Sequence, residues 1–305
     1  IIGLILGTIF KPGNGIDLSG VDPFTSGVAS MSVAERLFGI IPMNPFSSLA
    51  NGEVLPIIFF SILLGIGIIM GGDKTKSLGN FFSAAAEAVL KIAHMVMQVA
   101  PYGVLSLVAW VSGTMGLAAL QNLLVLTVIL YMGCLFHTIF VYGGLIRIFA
   151  KLPLKNFFRG ILDAQAVAYS TSSSSATLPV TLQCVQENLG VKKTVASSVL
   201  PLGATINMDG TALYLGIVAL FAAQIFGIDL SFTDYLLIAM TVTLTSIGTA
   251  GIPSASLFLL ATVLSVIGIS DEQTALIVGF VLPFDRILDM ARTAVNITGD
   301  ATVSV

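Results

Sequence analysis

The chain of 305 residues is 56% hydrophobic and only 10% charged, with a net charge of -3. A soluble domain carries roughly 25% charged residues, so these side chains cannot clothe a water-facing surface, and lipid must be much of the solvent. The same figures exclude a nucleic-acid binder, which needs a basic face.

A helix that crosses a membrane needs about 20 apolar residues. Residues 1–10 form the end of one such helix, and the sequence closes at Val305 inside another helical pattern. There is no initial Met and no signal-peptide charge pattern, so both ends are expected to be cuts in a longer chain. A polar loop with Pro12, Gly13, Gly15 and Pro23 follows the first run. The next span, 54–70, is expected to begin well before Pro56; 84–111 and 123–149 are two more. Less regular apolar regions cover 157–185, 194–226, 235–269 and 274–305. Basic loops mark the cytoplasmic side: Lys74 and Lys76 in one, Arg147, Lys151, Lys155 and Arg159 in another, with the uncharged connection 112–122 outside. Cys134 and Cys184 offer neither a disulfide framework nor metal-ligand spacing. His94 and His137 stand alone and read as packed or interfacial residues.

The alternation then breaks. The segment after Arg159 leaves at Lys192 and Lys193, so both of its flanks read as cytoplasmic, and its middle is the run Ser170 to Ser175 with Pro179 soon after. Such a stretch cannot lie bare against lipid, because its unpaired backbone groups would cost several kcal/mol each. A re-entrant hairpin with a buried serine-rich tip is the economical reading. The segment after Thr233 mirrors it: Asp229 and Asp234 precede it, Asp271 and Glu272 follow, and Gly248 to Pro253 break its middle. Two interrupted spanning helices are the alternative, and the charge pattern favours hairpins. Oppositely oriented hairpins, each followed by a helix, make an inverted repeat that places a substrate site near the midplane.

The last helix is the strongest signal. At about 100° per residue, Asp285, Asp289, Arg292, Asn296 and Asp300 fall on a stripe about 80° wide. Four charges facing lipid at mid-depth would cost about 10–14 kcal/mol. They must face either a polar compartment or one another in a network that only joins helices, and intramembrane charges usually mark pathways. In Asn207-Met208-Asp209-Gly210-Thr211, oxygen ligands for a hard cation sit at membrane depth, with Gly210 as the expected point of unwinding; a kinked helix with polar contacts is the alternative. The serine run and the Gly248–Pro253 turn are weak signals alone, though exposed N–H groups at a half-helix start bind carboxylates.

Ser172 to Pro179 (SSSSATLP), Asn207 to Thr211, Gly248 to Pro253 and Asp285 to Asp300 occur in the order found in the glutamate transporter family, and the chain resembles these dicarboxylate/amino acid:cation symporters over nearly its whole length. The resemblance implies an all-α integral membrane protein of the cell membrane, a multi-span helical bundle with two oppositely oriented re-entrant hairpins in an inverted repeat, assembled as a homotrimer. It implies a scaffold and trimer contact in 1–80, including the region around Phe38, two helices in 81–155, and a transport core in 156–305. The core would comprise a first hairpin 156–190, a helix 193–227, a second hairpin 233–269 and a final helix 272–305. By resemblance, Asp289 holds a substrate ammonium and Arg292 its side-chain carboxylate, with Asp285 orienting the arginine. Ser172, Ser174, Thr211 and Asn296 hold the α-amino acid end, Thr293 sits beside the pocket, and Ile252 and Ser256 lie on an outer gate. Sodium is the implied co-transported ion. Gly203, Asn207, Asn296 and Asp300 resemble one cation site; Thr205, Ser246, Ile247 and Thr249 a second; Asn207 and Asp209 part of a third.

Departures matter. Some members carry an arginine where this chain has Ser172, others where it has Met290; Arg286, one turn earlier, is the expected second positive charge. Leu215 follows Tyr214 where proton- and potassium-coupled members have an acid, so that position carries no proton here. Ser256 stands for a usual glycine. The expected function is uptake of aspartate or glutamate with sodium by alternating access. A C4-dicarboxylate or proton-coupled symporter is the alternative, followed by a channel. A serine hydrolase is set aside because no histidine or lysine base lies in a nearby motif.

Overall fold

The computed structural model describes residues 1–16, 40–51, 53–99 and 117–305, with a few positions between 100 and 116. The predicted loop around Pro23, the region at Phe38, the end of the predicted span 84–111, most of the uncharged connection and the side chain of His94 lie outside the described residues. No strand occurs among the described residues. The chain divides into two compact units, Val28–Trp110 and Ile1–Gly27 with Val111–Val305.

In the smaller unit, α2 (Pro45–Asn51), α3 (Val54–Gly71) and α4 (Lys76–Met97) follow one another. The helix expected to begin well before Pro56 starts at Val54. Pro56 therefore falls in its first turn, where the missing N–H is no loss. A short 3₁₀ turn, Gly72–Lys74, separates α3 from α4, and the Thr75 hydroxyl closes it on the carbonyls of Ile68 (2.6 Å) and Gly72 (3.1 Å). Lys76, expected in a loop, is already helical.

In the larger unit, α1 (Ile2–Phe10) is followed by α5 (Leu117–Phe136), which runs on as π-helix His137–Tyr142, α-helix Gly143–Leu145 and π-helix Ile146–Ala150. It stops at Lys151, whose φ of 55° is left-handed. Then come α6 (Leu154–Gly160), α7 (Leu162–Thr171), α8 (Ser174–Glu187), α9 (Lys193–Ile206), α10 (Asp209–Ile225), α11 (Phe232–Ile247), α12 (Ala255–Ser265) and α13 (Asp271–Ser304). Among the described residues, three helical stretches are long and apolar enough to cross a membrane: Leu55–Lys74, Gln121–Ala150 and Lys193–Ile225. The last is interrupted at Asn207 and Met208.

Helix α13 is the axis of this unit. Its start is fixed by a reciprocal cap, in which Ser270 Oγ accepts from Gln273 N and Gln273 Oε1 accepts from Ser270 N. Its 34 residues span about 51 Å. Around it pack α5, α7, α8, α9, α10 and α12. The predicted charged stripe is buried throughout, from Asp285 through Asp289, Arg292 and Asn296 to Asp300. An apolar cluster of Ile146, Phe157, Ile161, Val185, Ala196, Leu200 and Ala301 locks the far end of α13 to α6, α8 and α9.

Two helix–turn–helix pairs meet beside α13. The turn between α7 and α8 has Ser172 in the left-handed region (φ 54°), and Ser173 caps α8 by accepting from Ala176 N at 3.1 Å. The turn between α11 and α12 has Ser254 left-handed (φ 60°). The Gly251 carbonyl joins the two turns, accepting from Ser173 Oγ (2.6 Å) and Ser175 N (3.2 Å).

The chain unwinds at Asn207–Met208 and not at Gly210, which is helical. Gly210 serves a different need: a Cβ there would collide with the Arg292 backbone, so only glycine lets α10 and α13 touch. Gly210→Ala is therefore expected to destabilise by about 1–3 kcal/mol, lowering the thermal midpoint in detergent by several degrees. Gly144→Ala, which meets open space, should not lower it.

Candidate functional site

The site forms where α13 passes both turns. Arg292 is wholly buried, and its Nη2 lies 3.0 Å from Asp285 Oδ1 and 2.9 Å from Asp289 Oδ1. Nε also donates to Asp289 Oδ1 at 3.3 Å. The guanidinium carbon sits 4.0 Å from the centroid of the Tyr214 ring, a cation–π contact from α10. The second Asp289 oxygen accepts from Ser254 N at 2.7 Å, which ties the α11–α12 turn to α13. Buried ion pairs hold only when hydrogen bonds complete them, and this one is incomplete: Arg292 Nη1 and Asp285 Oδ2 have no partner.

Beside this trio lies a cavity lined by Ser172, Ser174, Thr211, Ile252, Ser256, Asp289, Thr293 and Asn296, all expected substrate residues. Met208, Thr249, Ala250, Gly251 and Ala255 line it too. Arg292 is not on its wall, because its charge is turned onto the two aspartates. Arg286 is also absent from it; its Nη2 points to the carbonyls of Ser170 (3.4 Å) and Thr171 (3.3 Å) at the end of α7. The expected compartment for a whole zwitterion is contracted to about 10 Å³, room for roughly one water. The turns meet across it through Gly251, so it widens only if they part. Ser172 Oγ and Ser256 Oγ are buried on its wall without partners.

The residues expected to hold cations gather around the break between α9 and α10. Asn207 Nδ2 donates to Asp300 Oδ1 at 3.0 Å, and a Cβ at Gly203 would strike the same carboxylate. The Gly203 carbonyl accepts from Asn207 N at 2.8 Å. Asn296 Oδ1 accepts from Gly210 N at 2.8 Å, and its Nδ2 reaches Met208 Sδ (3.1 Å) and Thr211 Oγ1 (3.3 Å). The Thr205 hydroxyl turns back to Leu202 O. Ser246, Ile247 and Thr249 lie together at the end of α11, where Ser246 O accepts from Thr249 N at 3.2 Å.

Asp209 adjoins this group through Tyr142, whose hydroxyl lies with Asn207 Nδ2 beside Gly299. Its Oδ2 accepts from Tyr142 OH at 2.7 Å and lies 3.3 Å from His137 Nε2. His137, expected to be isolated, is thus paired. Asp209 and His137 also line a cavity of about 600 Å³ bounded by α1, α10 and α11. Sequence reasoning missed Tyr142, Tyr214, Ser254 and His137. Only for the last two did a signal exist, a histidine in an apolar helix and a serine in a helix-breaking turn.

A buried charged stripe, broken helices and polar turns on lipid-compatible helices define a multi-pass membrane transport protein. The profile of the family described as Sodium:dicarboxylate symporter family matches residues 1–305. The chain is 34% identical over 313 residues to the proton/sodium-glutamate symport protein of Geobacillus stearothermophilus, spanning all of this chain and 73% of that one. It is 36% identical to the proton/glutamate-aspartate symporter of Escherichia coli, spanning 99% of this chain and 70% of that one. It is 33% identical to the C4-dicarboxylate transport protein of Bacillus subtilis, spanning 100% and 73%. The chain belongs to the sodium:dicarboxylate symporter family.

Arg292→Ala leaves two buried carboxylates without a counter-charge, at a cost of about 3–5 kcal/mol. Arg292→Lys keeps the charge but loses the planar fork. Both should abolish most transport, and the lysine variant alone should keep a thermal midpoint near the parent's in a detergent melt.

Proposed function

We propose that the chain forms the core of a secondary-active symporter that takes up aspartate or glutamate with sodium by alternating access. The observation that carries this reading is the trio Asp285–Asp289–Arg292 beside a cavity walled by both turns. An acidic amino acid offers an ammonium for Asp289 and a carboxylate for the unpaired Arg292 Nη1, with Ser172 and Ser256 hydroxyls free to bind it. Thr211, Thr293 and Asn296 complete the lining, Ser174 starts α8 with N–H groups suited to a carboxylate, and Ile252 covers the site from the second turn.

The two helix–turn–helix pairs are read as re-entrant hairpins entering from opposite faces, an inverted repeat around 156–305. The α11–α12 pair acts as the gate. Cations bind at Asp300, Asn207, Asn296 and the Gly203 carbonyl; at the carbonyls of Thr205, Ser246, Ile247 and Thr249; and at Asp209 with Asn207. Their binding fixes the break between α9 and α10, and differential affinity for open and closed arrangements supplies the coupling. Because α1 packs against α10, it travels with the core, and the rest of 1–80 is assigned to a scaffold that also forms a homotrimer. No covalent step is involved, so the serines act only as hydrogen-bond partners. Arg286 supplies the second positive charge from α13, its guanidinium set against the end of α7; Arg286→Ala should weaken substrate affinity several-fold, and unchanged affinity and turnover would remove it from the site.

Uptake of labelled aspartate, glutamate and succinate into proteoliposomes, with sodium and pH gradients imposed separately, tests the whole reading. Saturable, sodium-driven uptake of an acidic amino acid is expected. Uptake confined to succinate would make the substrate a C4-dicarboxylate, as the name of the 33% identical relative suggests. Flux linear in substrate concentration would make it a channel.

A further inference from the structure

Asp209 opens α10, and it is held by another helix. Tyr142 OH donates to Oδ2 at 2.7 Å, and His137 Nε2 lies 3.3 Å from the same oxygen. Among the described residues Oδ1 has no hydrogen-bond partner. Both donors come from the first π-helical stretch of α5, His137–Tyr142. In an α-helix, residues five apart point about 140° away from each other. The wider π turn, closed by i→i+5 bonds, brings them onto one face, and here the two rings meet edge to face with centroids 4.6 Å apart. The change of helix type is thus what aims two side chains at one carboxylate oxygen. Tyr142 is buried, which fixes its hydroxyl, while the Asp209 side chain remains 41% exposed.

We propose that His137 and Tyr142 are positioning residues that reserve Asp209 Oδ1 for the transported cation. A carboxylate can give a hard cation one oxygen or two. With Oδ2 occupied by two donors, Asp209 gives one, and the plane of the group is fixed before the cation arrives. Hydrogen bonds that orient a ligand group in this way typically change metal affinity by about 10–100-fold. A carboxylate only accepts, so His137 acts through an Nε2–H donor, a role that a glutamine amide can fill. The inference rests on the reading of Asp209 as a sodium ligand.

The test uses two readouts on the purified protein: the sodium-dependent rise in thermal midpoint, titrated against choline at constant ionic strength, and the sodium half-saturation of uptake in proteoliposomes. Tyr142→Phe and His137→Leu should raise the sodium half-saturation about tenfold or more in both. Their thermal midpoint in choline and their uptake rate at saturating sodium should stay near the parent's. His137→Gln should return the half-saturation close to the parent value. Variants whose midpoints fall equally in sodium and choline, with half-saturation unmoved, would overturn the proposal and leave a packing role. A parent protein that ignores sodium in both readouts would instead overturn the sodium reading of Asp209, and this inference with it. Should Tyr142→Phe fail to fold, the His137→Leu and His137→Gln pair decides alone.

Discussion

One guanidinium shared between two carboxylates holds the core together. Arg292, with none of its surface exposed, can keep its charge only because Asp285 and Asp289 approach within 3.0 Å. Neighbouring elements meet that requirement from several directions. Gly210 lets the α10 backbone reach Arg292, Tyr214 covers the cation, and the Ser254 N–H from the second turn takes the oxygen that the arginine leaves. The trio sets two acidic side chains against one basic side chain. A buried network that only joined helices would be complete, whereas this one leaves Arg292 Nη1 and Asp285 Oδ2 unmatched.

The same contacts explain why the cavity is small. Asp289 binds the second turn through Ser254, and the second turn binds the first through Gly251. The ion pair and the turn-to-turn contact therefore form one chain of interactions. Any group that competes for Asp289 also competes for the anchor of the second turn. Further along the same stripe of α13, the break between α9 and α10 adds a polar contact in which Asn207 donates to Asp300.

Much of this was legible in the sequence because membrane burial makes charge costly. Four charges on one helical stripe had to face inward, and they do; the runs at Ser172 and Gly248 were read as helix breaks, and helices end at both. What stayed hidden depends on phase and partner. A serine and a glycine at helix ends do not reveal that the Gly251 carbonyl accepts from Ser173. The break falls at Asn207–Met208 while Gly210 serves helix contact, and sequence alone does not distinguish a glycine that bends from one that admits a neighbour. His137 looked solitary because an α-helical phase turns it away from Tyr142, and the π turn brings both to one face. Arg292 was expected to reach a substrate with Asp285 orienting it; its contact with Asp285 fits that expectation, while its second contact, with Asp289, turns it from the cavity.

Ser172 and Ser254 both sit in the left-handed backbone region, one at each turn. For a residue with a Cβ that conformation lies about 1–2 kcal/mol above its right-handed counterpart. Both apices are therefore held under tension by the contacts around them, like two sprung latches facing each other. A turn whose serine regained a right-handed backbone on opening would recover that ~1–2 kcal/mol, offsetting part of the cost of the bonds lost across the gap.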